Sequence, residues 1–304
     1  MTVAAIDCGT NTIKLLIGDL PDVAVRQMRI VRLGQGVDAT GRLHEDALAR
    51  AFAAIDEYAA LVKEHGVTRI RFCATSATRD AINADVFTRG VQARLGVTPE
   101  VLSGAEEAAL AFAGAVRNLQ HQPDVPVLVL DIGGGSTELV LGTSPDEPPL
   151  AADSMDIGSV RLHERHLHSD PPTAVELDAC VADIDMHLDA CRVDPAAAAT
   201  VVGVAGTITS IAAGVLDLSA YSREAIDQSR LDVDAVHATV DRLLAMPVAE
   251  RLQLPWLHPG RADVIGAGAL IASRVLRRAA VSAMVVSECD ILDGIAWSLI
   301  RPEG

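Results

Sequence analysis

The sequence predicts an α/β fold made of two related halves. Three observations carry that expectation. Short apolar runs of strand length alternate with longer stretches of helical periodicity along the chain. A twelve-residue pattern occurs at positions 7–18 and again, without a gap, at 131–142. The chain has 304 residues, 50% of them apolar, enough for one large domain or two of ordinary size.

The elements can be taken in chain order. Residues 3–6 are apolar and lead through a Gly/Thr/Asn turn to a second apolar run at 13–17, which predicts strand, tight turn and strand. Over 45–65, Leu48, Ala51, Phe52, Ile55, Tyr58, Ala59 and Val62 fall on one helical stripe, and Gly66 supplies the stop. Residues 69–75 are β-rich and pass into a turn at 75–78, and 103–116 is helical. Residues 125–131 and 139–141 are strands, and a Pro-rich hairpin loop occupies 144–149. Helices are predicted at 173–191, from about 208, at 232–245, at 262–279 and at 291–300, with strands at 201–205 and 283–287. The bridge at 118–126, with two prolines, is the expected domain boundary, dividing the chain into 1–120 and 121–304.

Composition narrows the function. Lys and Arg number 25 against 41 Asp and Glu, a formal net charge of −16. That excludes a broad basic footprint for nucleic acid or an anionic membrane, and 3% aromatic residues leave little for base-stacking platforms. No basic segment precedes an apolar stretch at the N-terminus, so no secretory signal is expected. No apolar run reaches the roughly 18 residues of a membrane span. The five scattered cysteines lack C-x-x-C spacing and read as free thiols in a cytoplasmic protein.

The repeat carries the chemistry. Residues 7–18 read DCGTNTIKLLIG and 131–142 read DIGGGSTELVLG, a shared D-x-G-x-x-[ST]-x-x-L-x-[IL]-G. Gly9 and Gly133, Gly134 and Gly135 are expected to take backbone angles closed to other residues, letting successive N–H groups converge on an anion. Thr10, Asn11, Thr12, Ser136 and Thr137 add side-chain donors. Two such turns facing each other would grip a chain of phosphates from both sides; as isolated features they would be plain hairpin turns.

The paired turns resemble the two phosphate loops of the actin and sugar-kinase superfamily. More closely, the 131–138 signature resembles the exopolyphosphatase / guanosine pentaphosphate phosphatase family. Further matches run in order: the first turn at 7–12, Thr75-Ser76-Ala77-Thr78-Arg79, Ser103-Gly104-Ala105-Glu106-Glu107-Ala108, Gly158-Ser159-Val160-Arg161, Gly206-Thr207-Ile208-Thr209-Ser210, Pro259-Gly260-Arg261-Ala262-Asp263, and Val286-Ser287 with Asp293-Gly294. The resemblance implies two duplicated actin-like (ribonuclease H-like) domains facing an interdomain cleft, with the last helix, about 290–304, packing back on the first. It also implies a divalent metal, a homodimer, and hydrolysis of the terminal phosphoanhydride of inorganic polyphosphate to orthophosphate. The chain stops at Gly304, like the short form of the family, so processive action on very long polymers is not expected.

Hydrolysis needs a base, cations on the phosphoryl oxygens and a positioned water. Ser103 and Glu106 form an S-x-x-E capping box, which leaves Glu107 for the cleft. The second Glu of this motif is the base in the resembling family; the bland alternative is that Glu107 complements the helix dipole. Asp131 and Glu138 flank the second loop and suit Mg²⁺ or Mn²⁺, with Asp7 as a lesser ligand candidate. Asp131 could instead brace the turn. Lys14, in the slot equivalent to Glu138, suits a phosphate or a snorkelling strand position. Arg79 suits a bidentate phosphate clamp or a salt bridge with Asp80 or Glu107. Gly206 and Thr207 open a helix and form a third phosphate-binding position. Arg161 and Arg261 are read as solvated or structural, and His163, His166 and His168 as surface residues. Cys289 and Asp290 depart from the Gly-like turn of the family, so no site residue is assigned there.

Two rival readings remain. A guanosine pentaphosphate 5′-phosphatase would need a purine pocket, for which the sequence offers few aromatics. A phosphotransferase or silent phosphate sensor of the same fold would be expected to have a larger second half, or to have lost Glu107 or Asp131.

Overall fold

The computed structural model describes residues 2–300. The first half contains β1 (Val3–Cys8), β2 (Thr12–Asp19), β3 (Asp22–Ile30), α1 (Val37–Thr40), α2 (Glu45–Glu64), β4 (Arg69–Ala74), α3 (Ser76–Asp80), α4 (Ala84–Leu95), β5 (Glu100–Val101) and α5 (Gly104–Arg117). The second contains β6 (Val127–Ile132), β7 (Thr137–Gly142), β8 (Ala151–Met155), α6 (Ser159–His166), α7 (Ala174–Ala190), β9 (Thr200–Val204), α8 (Ala205–Val215), α9 (Arg223–Ile226), β10 (Arg230–Asp232), α10 (Val233–Ala245), α11 (Val248–Arg251), α12 (Ile265–Arg278), β11 (Ala283–Val286) and α13 (Ile291–Ser298).

The fold is α/β, as expected, and its two sheets share a five-strand plan, to which the second adds β10 antiparallel to β11. The first runs β3-β2-β1-β4-β5 and the second β10-β11-β9-β6-β7-β8. In each, an antiparallel meander (β1-β2-β3, β6-β7-β8) is followed by parallel strands added on the other side of its first strand. The repeat falls on the first hairpin of each meander. Register makes Lys14 the cross-strand partner of Asp7 and Glu138 that of Asp131. Every residue of β1, β6 and β7 is buried, which explains their near-continuous apolar runs.

Two helices exchange partners between the halves. Although α5 follows the first sheet in the chain, its Ala108, Phe112, Ala115 and Val116 pack on Val127, Val129 and Val140 of the second. Reciprocally, Ile291, Leu292 and Ile295 of α13 pack on Ala5, Leu16 and Cys73 of the first. Burying each such Ile or Leu is worth about 1.5–3 kcal/mol, more than the roughly 0–1 kcal/mol typical of an exposed ion pair, so packing holds this crossing. The helices meet at glycines. A Cβ on Gly114 would collide with the Asp290 carbonyl and stand 2.8 Å from Gly294 N, and one on Gly294 would collide with the Leu110 carbonyl. The 118–126 bridge links α5 to β6.

Sequence periodicity misses several elements, among them β3, α4 and β8. The turn expected at 75–78 is the first part of a short helix, because Thr78 N and Arg79 N both donate to Thr75 O. All five cysteines are free, with Cys8, Cys73 and Cys180 buried. Among the described residues no helix is long and apolar enough to cross a membrane.

Candidate active site

The two hairpin turns lie against each other at the carboxyl ends of β1 and β6. Each is closed by the same bond, Gly9 N to Thr12 O at 2.9 Å and Gly133 N to Ser136 O at 3.0 Å. Their carbonyls are drawn backwards. Val31 N and Arg32 N donate to Asn11 O, and Gly34 N to Thr10 O; Ser159 N donates to Gly133 O, and Val160 N and Arg161 N to Gly134 O. Among the described residues, the N–H groups of Thr10, Asn11, Gly134 and Gly135 have no protein acceptor. Thr10 Oγ1, a hydroxyl able to donate, is buried without a partner as well. Unsatisfied donors gathered in one place are an anion site in waiting.

The reason for the glycines differs from the expected one. Gly9, Gly133, Gly134 and Gly135 do not adopt left-handed angles. Gly134 and Gly135 are needed for close approach, whereas a Cβ on Gly9 would meet only ordinary contacts, the nearest 3.7 Å away at Thr12 O. A Cβ on Gly134 would sit 3.1 Å from Asn11 N, one on Gly135 would collide with Thr10 Oγ1 and stand 2.5 Å from Ser76 Oγ, and Gly158 presses on the back of Gly134.

Buried carboxylates ring the cavity between the loops. Glu107 is 7% exposed and accepts a hydrogen bond from Arg79 Nη1 at 3.0 Å. Burial pushes its pKa up to about 7, Arg79 opposing and Asp7 adding to the shift. Ser103 and Glu106 form the capping box, which gives Glu106 the structural role expected of it. Asp131 rises to about 8, first through burial and then through Asp290. Glu138 is held well above the carboxylate range by burial and by the charges of Glu107 and Asp131, although it accepts a bond from Ser154 Oγ at 2.7 Å. Asp7 is raised by burial, with Lys14 opposing.

Both cations are paired with carboxylates, Arg79 in the salt bridge with Glu107 that stood as the alternative to a phosphate clamp. Lys14 Nζ donates to Asp290 Oδ2 at 2.7 Å and lies 3.2 Å from Asp7 Oδ2. Burial works against its charge, but Asp290 and Asp7 outweigh it and raise its pKa. Arg79 is committed to Glu107 and to Leu102 O at 2.8 Å. Asp290, to which the sequence assigned no role, is the N-cap of α13, and its Oδ1 accepts from Leu292 N at 3.0 Å. The signal was present as a D-x-x-D box before an apolar run.

The structure brings every residue of the sequence-derived site except Arg79 and Thr137 to one cavity of about 80 Å³; Arg79 stands behind Glu107, and Thr137 Oγ1 donates to Ile157 O at 2.6 Å instead of facing the cavity. Gly206 and Thr207 reach it from the start of α8, next to Ala205, whose φ of 65° is strained for a side-chain-bearing residue. A second cavity of about 560 Å³ adjoins it and includes Tyr221 and Trp256, one of the two tyrosines and one of the two tryptophans. The other helix residues read as surface or structural are also placed. His166 Nε2 meets Asp183 Oδ2 at 2.7 Å in a partly buried network with Arg165 and His187. Arg161 crosses the cleft: its Nη1 donates to Asp38 at 2.7 Å, its Nε to Gly135 O at 2.8 Å, and its Nη2 to Asp80.

A model of the Ppx/GppA phosphatase family matches residues 16–302. Exopolyphosphatase 2 of Mycobacterium tuberculosis is 46% identical, the match covering 98% of each chain. Among solved structures, an exopolyphosphatase-like protein is 44% identical with a TM-score of 0.95 over 98% of each chain. The Aquifex aeolicus member of the Ppx/GppA family is 30% identical with a TM-score of 0.82, covering 98% of this chain and 97% of its own.

Proposed function

The chain belongs to the Ppx/GppA phosphatase family, and from that premise we propose that it is an exopolyphosphatase, hydrolysing the terminal phosphoanhydride of inorganic polyphosphate to release orthophosphate. One observation supports this most directly: two turns with unpaired N–H groups face a cavity that also holds a buried carboxylate with a pKa near neutrality. The cavity of about 80 Å³ leaves room for a terminal phosphoryl group at the loops.

In this reading the N–H groups of Thr10, Asn11, Gly134 and Gly135, with Thr10 Oγ1, take the oxygens of the terminal phosphoryl group. Glu107 accepts a proton from a water as that water's oxygen bonds to phosphorus. The bridging P–O bond breaks and the shortened chain leaves with its electron pair. Arg79 keeps the Glu107 carboxylate in place and counters its charge when ionised. A pKa near 7 suits a base at neutral pH.

We also propose a divalent cation, Mg²⁺ or Mn²⁺, held by Asp131 and Glu138, directly or through water. The donor set fits: two cross-strand carboxylates, both buried, each with its pKa driven up by burial and crowding. Among the described residues no group of three or more His, Cys, Asp or Glu side chains is arranged to hold a metal alone; Mg²⁺ commonly takes one or two carboxylates and fills the rest with water and phosphate. When bound, it would supply positive charge to the phosphoryl oxygens and neutralise the acidic ring.

The test is Glu107→Gln. Phosphate release should fall about 10²–10⁴-fold, with the melting temperature held. A near wild-type rate would overturn the base assignment.

A further inference from the structure

Arg161, read from sequence as solvated or structural, has a side chain only 12% exposed that joins three elements. Its Nε donates to Gly135 O at 2.8 Å and its Nη1 to Asp38 Oδ1 at 2.7 Å. Its Nη2 donates to Asp80 Oδ2 and, at 3.3 Å, to Ser76 Oγ. We infer that Arg161 is a positioning residue for the reaction: it fixes the N–H groups of the second loop relative to Glu107 without touching substrate. This rests on the phosphoanhydride-hydrolase reading above.

On the loop side, Arg161 sets two successive peptides. A peptide unit is planar, so holding a carbonyl also orients the N–H of the next residue. The backbone N of Arg161 donates to Gly134 O at 3.1 Å, which orients the N–H of Gly135. Its Nε holds Gly135 O, which orients the N–H of Ser136.

On the base side, Arg161 grips the helix that carries the partner of Glu107. Ser76 and Asp80 are the first and last residues of α3, and Arg79 of the same helix donates to Glu107 Oε2 at 3.0 Å. This helix lies directly against the second loop, since a Cβ on Gly135 would stand 2.5 Å from Ser76 Oγ. One guanidinium therefore links the loop donors to the base through Gly135, Arg161, Asp80, Arg79 and Glu107.

Docking of the two halves does not by itself account for Arg161. Its neighbours on α6 already tie that helix to the first half: Arg165 Nη2 donates to Asp38 Oδ1 at 2.9 Å, and Glu164 Oε1 accepts from Gly36 N at 3.1 Å. What Arg161 adds is the link from Gly135 to α3. That link needs donors fixed in a planar fork, which the compact ammonium of lysine does not supply. Arg161 is not among the residues that line the catalytic cavity, so its effect passes through Gly135 and Arg79. A displacement of about 1 Å between reacting groups can cost about 10²-fold in rate.

The experiment measures steady-state orthophosphate release from polyphosphate of defined length with Mg²⁺. It uses the full chain carrying Arg161→Ala or Arg161→Lys, each assayed well below its own melting temperature. The inference predicts that kcat falls about 10²-fold in Arg161→Ala and at least about tenfold in Arg161→Lys, with KM within about threefold of wild type. Guanidinium ion at millimolar concentration should restore kcat of Arg161→Ala at least about fivefold, and ammonium ion should not. A kcat within about twofold of wild type in folded Arg161→Ala would overturn the inference even if the melting temperature falls, because the side chain would then serve the fold alone. A raised KM with kcat kept would overturn it too, since that marks a binding role. Near wild-type kcat in Arg161→Lys would do the same, because charge without the fork would then suffice. If Arg161→Ala does not fold, Arg161→Lys carries the test. Wild-type protein that releases no orthophosphate from any polyphosphate would remove the hydrolase reading, and this inference with it.

Discussion

At the scale of single residues, the site is a problem of too many buried carboxylates for its cations. Glu107, Asp131 and Glu138 all have pKa values raised by burial. A raised carboxyl pKa favours the folded state below the unfolded value near 4, and that contribution is lost as pH rises through the folded value. Without a divalent cation, these groups should therefore make the protein less stable as pH rises from about 5 to 8. At the proposed metal site protons and Mg²⁺ would compete for the same oxygens, so Mg²⁺ should raise the melting temperature more at about pH 8 than at about pH 6. Scanning calorimetry at the two pH values checks this, and an equal or larger gain at the lower pH would contradict it. Activity should rise with pH through about 7 as Glu107 ionises, read from kcat/KM against pH at saturating metal. Most of the donors, with Asp7, Asp131 and Glu138, were legible in the sequence because they sit within two copies of one motif, whereas Glu107 was read from the Glu-Glu pair beside the capping box. The partner of Lys14 was hidden, because Asp290 is 276 positions away. The purpose of the loop glycines was misassigned, because close approach depends on what lies opposite.

At the scale of elements, the fold rests on duplicated hairpins and exchanged helices. The duplication was readable in the first two strands of each sheet, where chemistry constrains the residues. Beyond them the topology repeats without a visible sequence echo, since β3 and β8 need only fit a sheet edge. The exchange of α5 and α13 could not be read from periodicity, which says that a helix has an apolar face but not which sheet receives it. It gives a direct prediction. Gly114→Ala places a methyl group into the backbone of α13 at Asp290 and Gly294, an overpacking that costs about 1–3 kcal/mol or more. The melting temperature should fall by several degrees, and activity should fall with it because Asp290 is displaced from Lys14. Unchanged melting would mean that the two helices do not cross as described.

At the scale of the whole molecule, a net charge of −16 and an anionic substrate look mismatched. In the proposed reading, recognition falls to two loops, one helix start and a few cations lining one cavity, so the acidic exterior need not be touched. Cross-cleft pairs such as Arg161 with Asp38 and Arg32 Nη2 with Asp263 Oδ1 at 2.7 Å hold the halves together around that cleft. They join residues more than a hundred positions apart, a pairing that composition does not reveal. The family and the two-domain α/β fold were legible in motifs spread along the chain, whereas the closed arrangement of the halves was not. Everything at this scale turns on removal of terminal phosphates in a metal-dependent reaction at Glu107. Its sharpest test is a time course on polyphosphate of defined length, with and without chelator, resolved on a gel while orthophosphate is counted. Orthophosphate should appear from the first turnovers, with chains shortened from the end, and no reaction in excess chelator or with Glu107→Gln. Internal fragments without orthophosphate, or full activity in chelator, would contradict it.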